Sequence, residues 1–192
     1  MATDGNVTIT KTFINAQLPV FICDLSPLQD ALDQASQAVK ELQLSHPAST
    51  PSNVKAVYMS PWKSHTLNAK LTPLCTAVTN LARLGAQGIS GSDLAALNMS
   101  MAVMDCWGAV YQSGDSALRH NHFPADFAAV VYLEAEAGCA PLILSGHAPV
   151  QPRPGMLLLF PGILDHEVPA NDGRRVVVAM NLYKKTTFAP SA

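Results

Sequence analysis

From about Leu97 to Tyr183 the chain is a succession of short apolar runs cut by turn signals, and this pattern restricts it to an all-β barrel or jelly roll. The runs are Asn98–Tyr111, Leu118–His122, Phe127–Glu134, Ala140–Leu144, Met156–Phe160, His166–Pro169 and Arg174–Tyr183. Ser113-Gly114-Asp115, Ala137-Gly138, Pro152-Arg153-Pro154-Gly155 and Asn171-Asp172-Gly173 separate them. The first half has another character. Val7–Ile14 alternates like a strand, and Leu18–Cys23 reads as a second strand or its continuation. Ser26-Pro27 is a helix start, and apolar residues at helical spacing predict a helix over 27–43. Thr72-Pro73 starts another helix, which Gly85 is expected to stop. The fold class expected is α+β, mainly β: an N-terminal portion of strands and helices (1–96) on a β-barrel (97–184), as one domain spanning 1–192.

Composition narrows the function. At 48% hydrophobic and 14% charged residues the chain is globular. A net charge of −2 without a basic stripe gives no electrostatic footprint for nucleic acid. No apolar run is long enough for a membrane span, and the N-terminus lacks a basic-then-apolar leader. Cys23, Cys75, Cys106 and Cys139 are scattered, as reduced thiols in a cytoplasmic protein would be.

Chemistry enters with Arg119-His120-Asn121-His122 and, further on, Asp165-His166-Glu167. Imidazoles at i and i+2 of a strand project from one face. A third His from a distant strand closes a facial set of three around a divalent metal and leaves positions open for substrates. Residue type alone does not choose among Fe, Zn, Cu and Ni. Arg174-Arg175 follows closely and supplies a cationic anchor for an anionic cosubstrate. Asn171-Asp172-Gly173 is expected to fold the strand from Arg174 back against His166–Pro169 as a hairpin. Parity then separates Arg175, Val177, Ala179 and Asn181 from Arg174, Val176, Val178 and Met180. The first set suits a polar barrel interior, so Arg175 is taken as the inward anchor. A one-residue slip would put Arg174 there instead.

In order and spacing, Trp107, Tyr111, Gly114-Asp115, His120, His122, Tyr132, Gly155, Leu157, Leu159, Phe160-Pro161, His166, Arg175 and Asn181 resemble the Fe(II)/2-oxoglutarate-dependent oxygenases, nearest a group of small bacterial and phage members. The likeness covers about 97–183. It implies a double-stranded β-helix with Fe(II) held by His120, His122 and His166, and Arg175 on the distal carboxylate of the cosubstrate 2-oxoglutarate. It further implies cosubstrate-binding roles for Tyr111 and Asn181, and no catalytic residue beyond the metal site. The implied activity is O2-dependent hydroxylation of a small-molecule or peptide substrate. The sequence names neither that substrate nor an oligomeric state. Trp107 reads as core. Most of the family carries a carboxylate at the second ligand position, where this chain has His122; Asp126 is the alternative carboxylate. A cupin is the rival reading, because Gly114, His120, His122, Asp126, Gly155, Pro161 and His166 partly resemble its two motifs. Tyr58–Thr66, which includes Trp62 and His65, and Ser145–Arg153, which includes His147, are expected as loops bordering the barrel mouth.

Overall fold

A computed structural model describes residues 9–13, 16–49 and 53–187. The strand expected over Val7–Ile14 lies partly outside these, and the described part, 9–13, is irregular chain. The first strand, β1 (Phe21–Asp24), is followed by a single 3-10 turn (Ser26–Leu28) and helix α1 (Gln29–Ser45). The Ser26 backbone N–H and hydroxyl both donate to the Asp24 carboxylate at 2.9 Å, so the Ser predicted as the cap is held by Asp24 and caps neither the turn nor α1. Two short strands, β2 (Val54–Lys55) and β3 (Tyr58–Met59), lead to a one-turn helix α2 (Ser64–Leu67) and then α3 (Thr72–Ser90).

Helix α3 runs past its expected stop. Gly85 sits inside it, where a Cβ would approach Phe21 to 3.2 Å. Its smallness serves close packing, and Gly91, at φ 69°, is the left-handed cap that ends the helix. The buried stripes Leu32, Ala35, Val39 and Leu42 of α1 and Leu74, Val78, Ala82 and Ala86 of α3 are the apolar positions the 3.6-residue period marks.

The remaining strands are β4 (Met99–Tyr111), β5 (Ser116–His120), β6 (Phe127–Ala135), β7 (Leu142–Leu144), β8 (Ala148–Val150), β9 (Met156–Pro161), β10 (His166–Val168) and β11 (Arg175–Thr186). They form two antiparallel sheets, one ordered β1-β9-β6-β11-β4-β3 and the other β2-β5-β10-β7-β8. Facing sheets built of strands that alternate between them make the double-stranded β-helix. The long β11 lies between β4 and β6, with Val176, Val178 and Met180 turned to the helices and Arg175, Val177 and Ala179 turned to the barrel interior. The helices thus cover one face of the larger sheet, leaving its other face to the site.

The expected hairpin between β10 and β11 does not form. Strand β10 pairs with β5 and β7 in the smaller sheet, while β11 belongs to the larger one. Asn171 is fully buried at the crossing. Its side chain accepts from Ala140 N–H at 3.0 Å and donates to the Gly173 carbonyl, and its backbone bonds Asp115 and Gly114. The Asn-Asp-Gly signal marks a clasp between sheets. Arg175 still faces inward, because the inward face of β11 is set by its neighbours β4 and β6.

All four cysteines are free thiols. Among the described residues no helix is long and apolar enough to cross a membrane.

Candidate metal centre

The three imidazoles arrive from two strands and one short extension. His120 ends β5, His166 opens β10, and the two are direct cross-strand partners. His122 lies two residues beyond β5. Its N–H donates to the Gly162 carbonyl at 2.7 Å, and Gly162 N–H donates to the Asp126 carbonyl at 3.0 Å. Position 162 has to be glycine, since a Cβ there would fall 2.1 Å from the Ala125 carbonyl oxygen. This tight crossing of the chain after β9 with the chain after β5 fixes His122.

One potential ligand atom from each ring lies within 4.8 Å of the others. Ring centroids are 4.3 Å apart for His120–His166, 5.0 Å for His122–His166 and 5.2 Å for His120–His122. His120 Nδ1 is 2.6 Å from the Leu118 carbonyl, and His166 Nδ1 is 3.3 Å from the Leu164 carbonyl. A carbonyl only accepts, so each Nδ1 carries the proton and Nε2 keeps its lone pair for a metal. Burial, then the neighbouring His120, pushes His122 down to about 4. Burial first, then His120 and His122, pushes His166 to about 3. Burial also lowers His120. The rings therefore stay neutral at physiological pH, the state in which imidazole coordinates. On the outer side, Asp165 accepts from Arg119 Nε at 3.2 Å and Asn121 Nδ2 at 2.9 Å, tying the two ligand-bearing strands together.

Asp126 is not part of this cluster. Its carboxylate faces Lys184, accepting from the backbone N–H at 2.7 Å and pairing with Nζ at 2.9 Å. His65 lines a separate depression beside Cys75, and His147 is exposed.

A narrow cleft of about 50 Å³ joins the three rings to Arg175. Between them it is walled by Trp107, Tyr111, Val130, Tyr132, Val177 and Ala179, all from the inward faces of β4, β6 and β11. Arg175 is 2% exposed. Its guanidinium stacks on the Tyr111 ring at 4.3 Å, and Nη1 donates to the Ala140 carbonyl at 3.3 Å. Arg174, by contrast, points outward to Glu134 at 2.9 Å.

Among the described residues Arg175 has no carboxylate partner, and its Nε and the buried Tyr132 hydroxyl have no hydrogen-bond partner. Buried donors left in this state call for an acceptor. A slender anion reaching from the metal position fits both them and the charge of Arg175.

Asn181 lies midway along β11, donating to Asp105 Oδ2 at 3.1 Å, and does not line this cleft. Tyr132 was legible as a strand aromatic but not as a cleft donor; its alignment with Val177 across β6 and β11 is the signal that places it. Trp107, read as core, lines the cleft as well.

No protein-family model and no curated protein sequence matches this chain. Solved structures do. A prolyl-4-hydroxylase from Pseudomonas putida superposes with a TM-score of 0.62 at 16% identity, covering 85% of this chain and 91% of that one. An oxidoreductase of the 2OG-Fe(II) oxygenase family from Burkholderia pseudomallei gives 0.60 at 13% identity, covering 88% of each chain. SnoN, a non-heme alpha-ketoglutarate-dependent epimerase of nogalamycin biosynthesis, gives 0.62 at 13% identity, covering 85% of this chain and 76% of that one. The helices, the two sheets and their strand order therefore constitute the double-stranded β-helix fold that these oxygenases and this epimerase share.

Proposed function

We propose that this chain is an Fe(II)- and 2-oxoglutarate-dependent oxygenase, acting as a hydroxylase. The observation that carries this reading is one cleft with three neutral, converging imidazoles at its mouth and a buried guanidinium without a carboxylate at its floor. His120, His122 and His166 would hold Fe(II), the first and last through Nε2. Arg175 would take the distal carboxylate of 2-oxoglutarate, with Tyr111 against the guanidinium and the Tyr132 hydroxyl as a further donor. Asn181, bonded to Asp105 outside this cleft, has no part in holding the cosubstrate in this reading. When bound, the iron and cosubstrate supply O2 activation, with 2-oxoglutarate oxidised to succinate and CO2.

The chain's own residues bind and orient. The stacking of Arg175 on Tyr111 sets the direction of its donors before any ligand arrives, which lowers the ordering cost of binding. The apolar walls Val130, Val177 and Ala179 keep water from the guanidinium, where its charge acts through a lower dielectric. Three neutral ligands leave the centre more positive than two His and a carboxylate would, and so favour a dianionic cosubstrate. The cupin reading accounts for the imidazoles but gives no role to Arg175.

Anaerobic absorption titration with Fe(II), then 2-oxoglutarate, tests the proposal. A visible charge-transfer band that requires both is expected, with succinate release as the screen for substrates. Fe(II) binding without that band would favour the cupin reading.

A further inference from the structure

A second chamber opens beside the three imidazoles, and its walls have a chemistry of their own. It encloses about 370 Å³ between Val54, Met59, Trp62, Trp107 and the His120–His122 segment, with Asn53 at its edge. The indoles of Trp62 and Trp107 stand 4.8 Å apart at 36°, and the Trp107 ring is 6.0 Å from that of His122. A continuous aromatic wall thus runs from the surface to the metal position.

Trp62 is 48% exposed, yet its backbone is firmly held. Cys106 N–H donates to the Trp62 carbonyl at 2.8 Å. Ser60, fully buried, receives Gly108 N–H on Oγ at 2.7 Å, and its own N–H donates to the Gly108 carbonyl at 2.9 Å. Ser64 Oγ donates to the Pro61 carbonyl at 2.6 Å. This bracing presents to solvent a large apolar ring whose further burial would be favourable.

Among the described residues no carboxylate, lysine or arginine lines the chamber, and the charges of Lys63 and Arg119, which adjoin its walls, are paired. Asp105 pairs with Lys63 at 3.0 Å and accepts from Asn181. Asp165 is taken by Arg119 and Asn121, and Asn121 Oδ1 accepts from Phe123 N–H at 3.1 Å. A charged substrate group entering here would lose hydration without gaining a counter-charge. A cation would also meet the field of the metal, and an anion would compete for the metal itself.

We infer that Trp62 and Trp107 form the substrate platform, and that the substrate carries an uncharged aromatic or heteroaromatic ring which stacks there beside the metal centre. The volume suits one or two fused rings with part of their attachment. This inference rests on the oxygenase reading for what happens to the ring's neighbouring C–H bond, but not for the binding itself.

The chain has two tryptophans, and both face this chamber, so both indole N–H resonances in a 15N-labelled sample report on it. The probes are N-acetyl-phenylalaninamide (uncharged), phenylalaninamide (cationic), N-acetyl-phenylalanine (anionic) and N-acetyl-alaninamide (no ring). The uncharged ring compound is expected to shift both resonances saturably and to bind about tenfold more tightly than the other three. Trp62→Ala should weaken that binding about tenfold, and Trp62→Phe should keep it within about threefold. Retention of the Trp107 resonance and of Fe(II) binding shows that either variant is folded. Equal binding of the charged or ringless probes, or no effect of Trp62→Ala, would overturn the inference. The Fe(II)/2-oxoglutarate band is read on the same samples. A band without ring binding overturns the platform and leaves the oxygenase reading standing. Ring binding without a band supports the platform and removes that reading.

Discussion

Arg175→Met separates binding from stability, because the structure places the native guanidinium where it serves a ligand at a cost to the fold. The side chain is 2% exposed and, among the described residues, has no carboxylate partner. Burying an unpaired charge costs several kcal/mol even after relaxation, on the order of 3–5. Set against this, the stacking on Tyr111 contributes about 2 kcal/mol. The 3.3 Å bond to the Ala140 carbonyl is long, so it belongs at the low end of the range, about 1 kcal/mol. Methionine fills a similar space, needs no counter-charge and favours aromatic contact. The metal-free variant should therefore be as stable as the native chain or more so, by up to about 2 kcal/mol, which for a chain of 192 residues is a rise in Tm of up to about 8 °C. The same change removes two charge-assisted bonds to a carboxylate, worth about 3 kcal/mol or more, so 2-oxoglutarate should bind about 100-fold less tightly while Fe(II) is retained. Urea denaturation and anaerobic titration measure the two effects independently. A variant that lost more than about 2 kcal/mol of stability and still bound 2-oxoglutarate normally would refute the reasoning and make Arg175 a structural residue.

His122 and His166 have folded-state values of about 4 and about 3, below the ordinary histidine value of about 6.5. The unfolded chain therefore binds more protons between those limits, so stability is full above about pH 6.5 and falls as the pH drops toward the folded values. The metal-free protein should lose on the order of 5 kcal/mol between pH 7 and 4.5, and an unchanged urea midpoint would contradict the neutral-ring picture. His166→Ala should weaken Fe(II) binding about 100-fold or more, whereas Asp126→Asn should leave it unaltered, since that carboxylate is engaged by Lys184; equilibrium dialysis against Fe(II) under argon distinguishes them, and Fe(II) loss in Asp126→Asn would reopen the ligand set. Gly108→Ala puts a Cβ 2.6 Å from Val39 Cγ2, on the contact between β4 and α1, and should cost about 1–3 kcal/mol. Adding Val39→Ala should return part of that loss in a double-mutant cycle; strict additivity would mean that the contact is relieved elsewhere.

What the sequence makes legible here is whatever depends on local period. The i, i+2 spacing of His120 and His122 marks them as a ligand pair, although His122 lies beyond β5 and takes its place from the crossing at Gly162. Val177 and Ala179 turn inward with Arg175 because strand residues two apart share a face, and α1 and α3 bury the residues their spacing marks. What stays hidden is what depends on partners far along the chain. Asn171-Asp172-Gly173 has the chemistry of a hairpin turn, but the pairing of a strand is decided by the whole sheet, and β11 finds more to bury between β4 and β6 than against the three-residue β10. Gly85 could have capped a helix or admitted a neighbour, and only the position of Phe21 decides between them. The same division runs through the site. The imidazoles and Arg175 are readable as residue types on a strand face. Trp62 looks like part of a loop, because what gives it a defined position is a hydrogen bond to Cys106 and a brace from Ser60 to Gly108, each more than 40 residues away in sequence. Two of the three metal ligands form a local pattern, His120-Asn121-His122, to which a distant His166 can be matched by residue type, whereas a substrate wall assembled from distant segments has no local signature at all, so the chemistry of such a chain shows in its sequence before its specificity does.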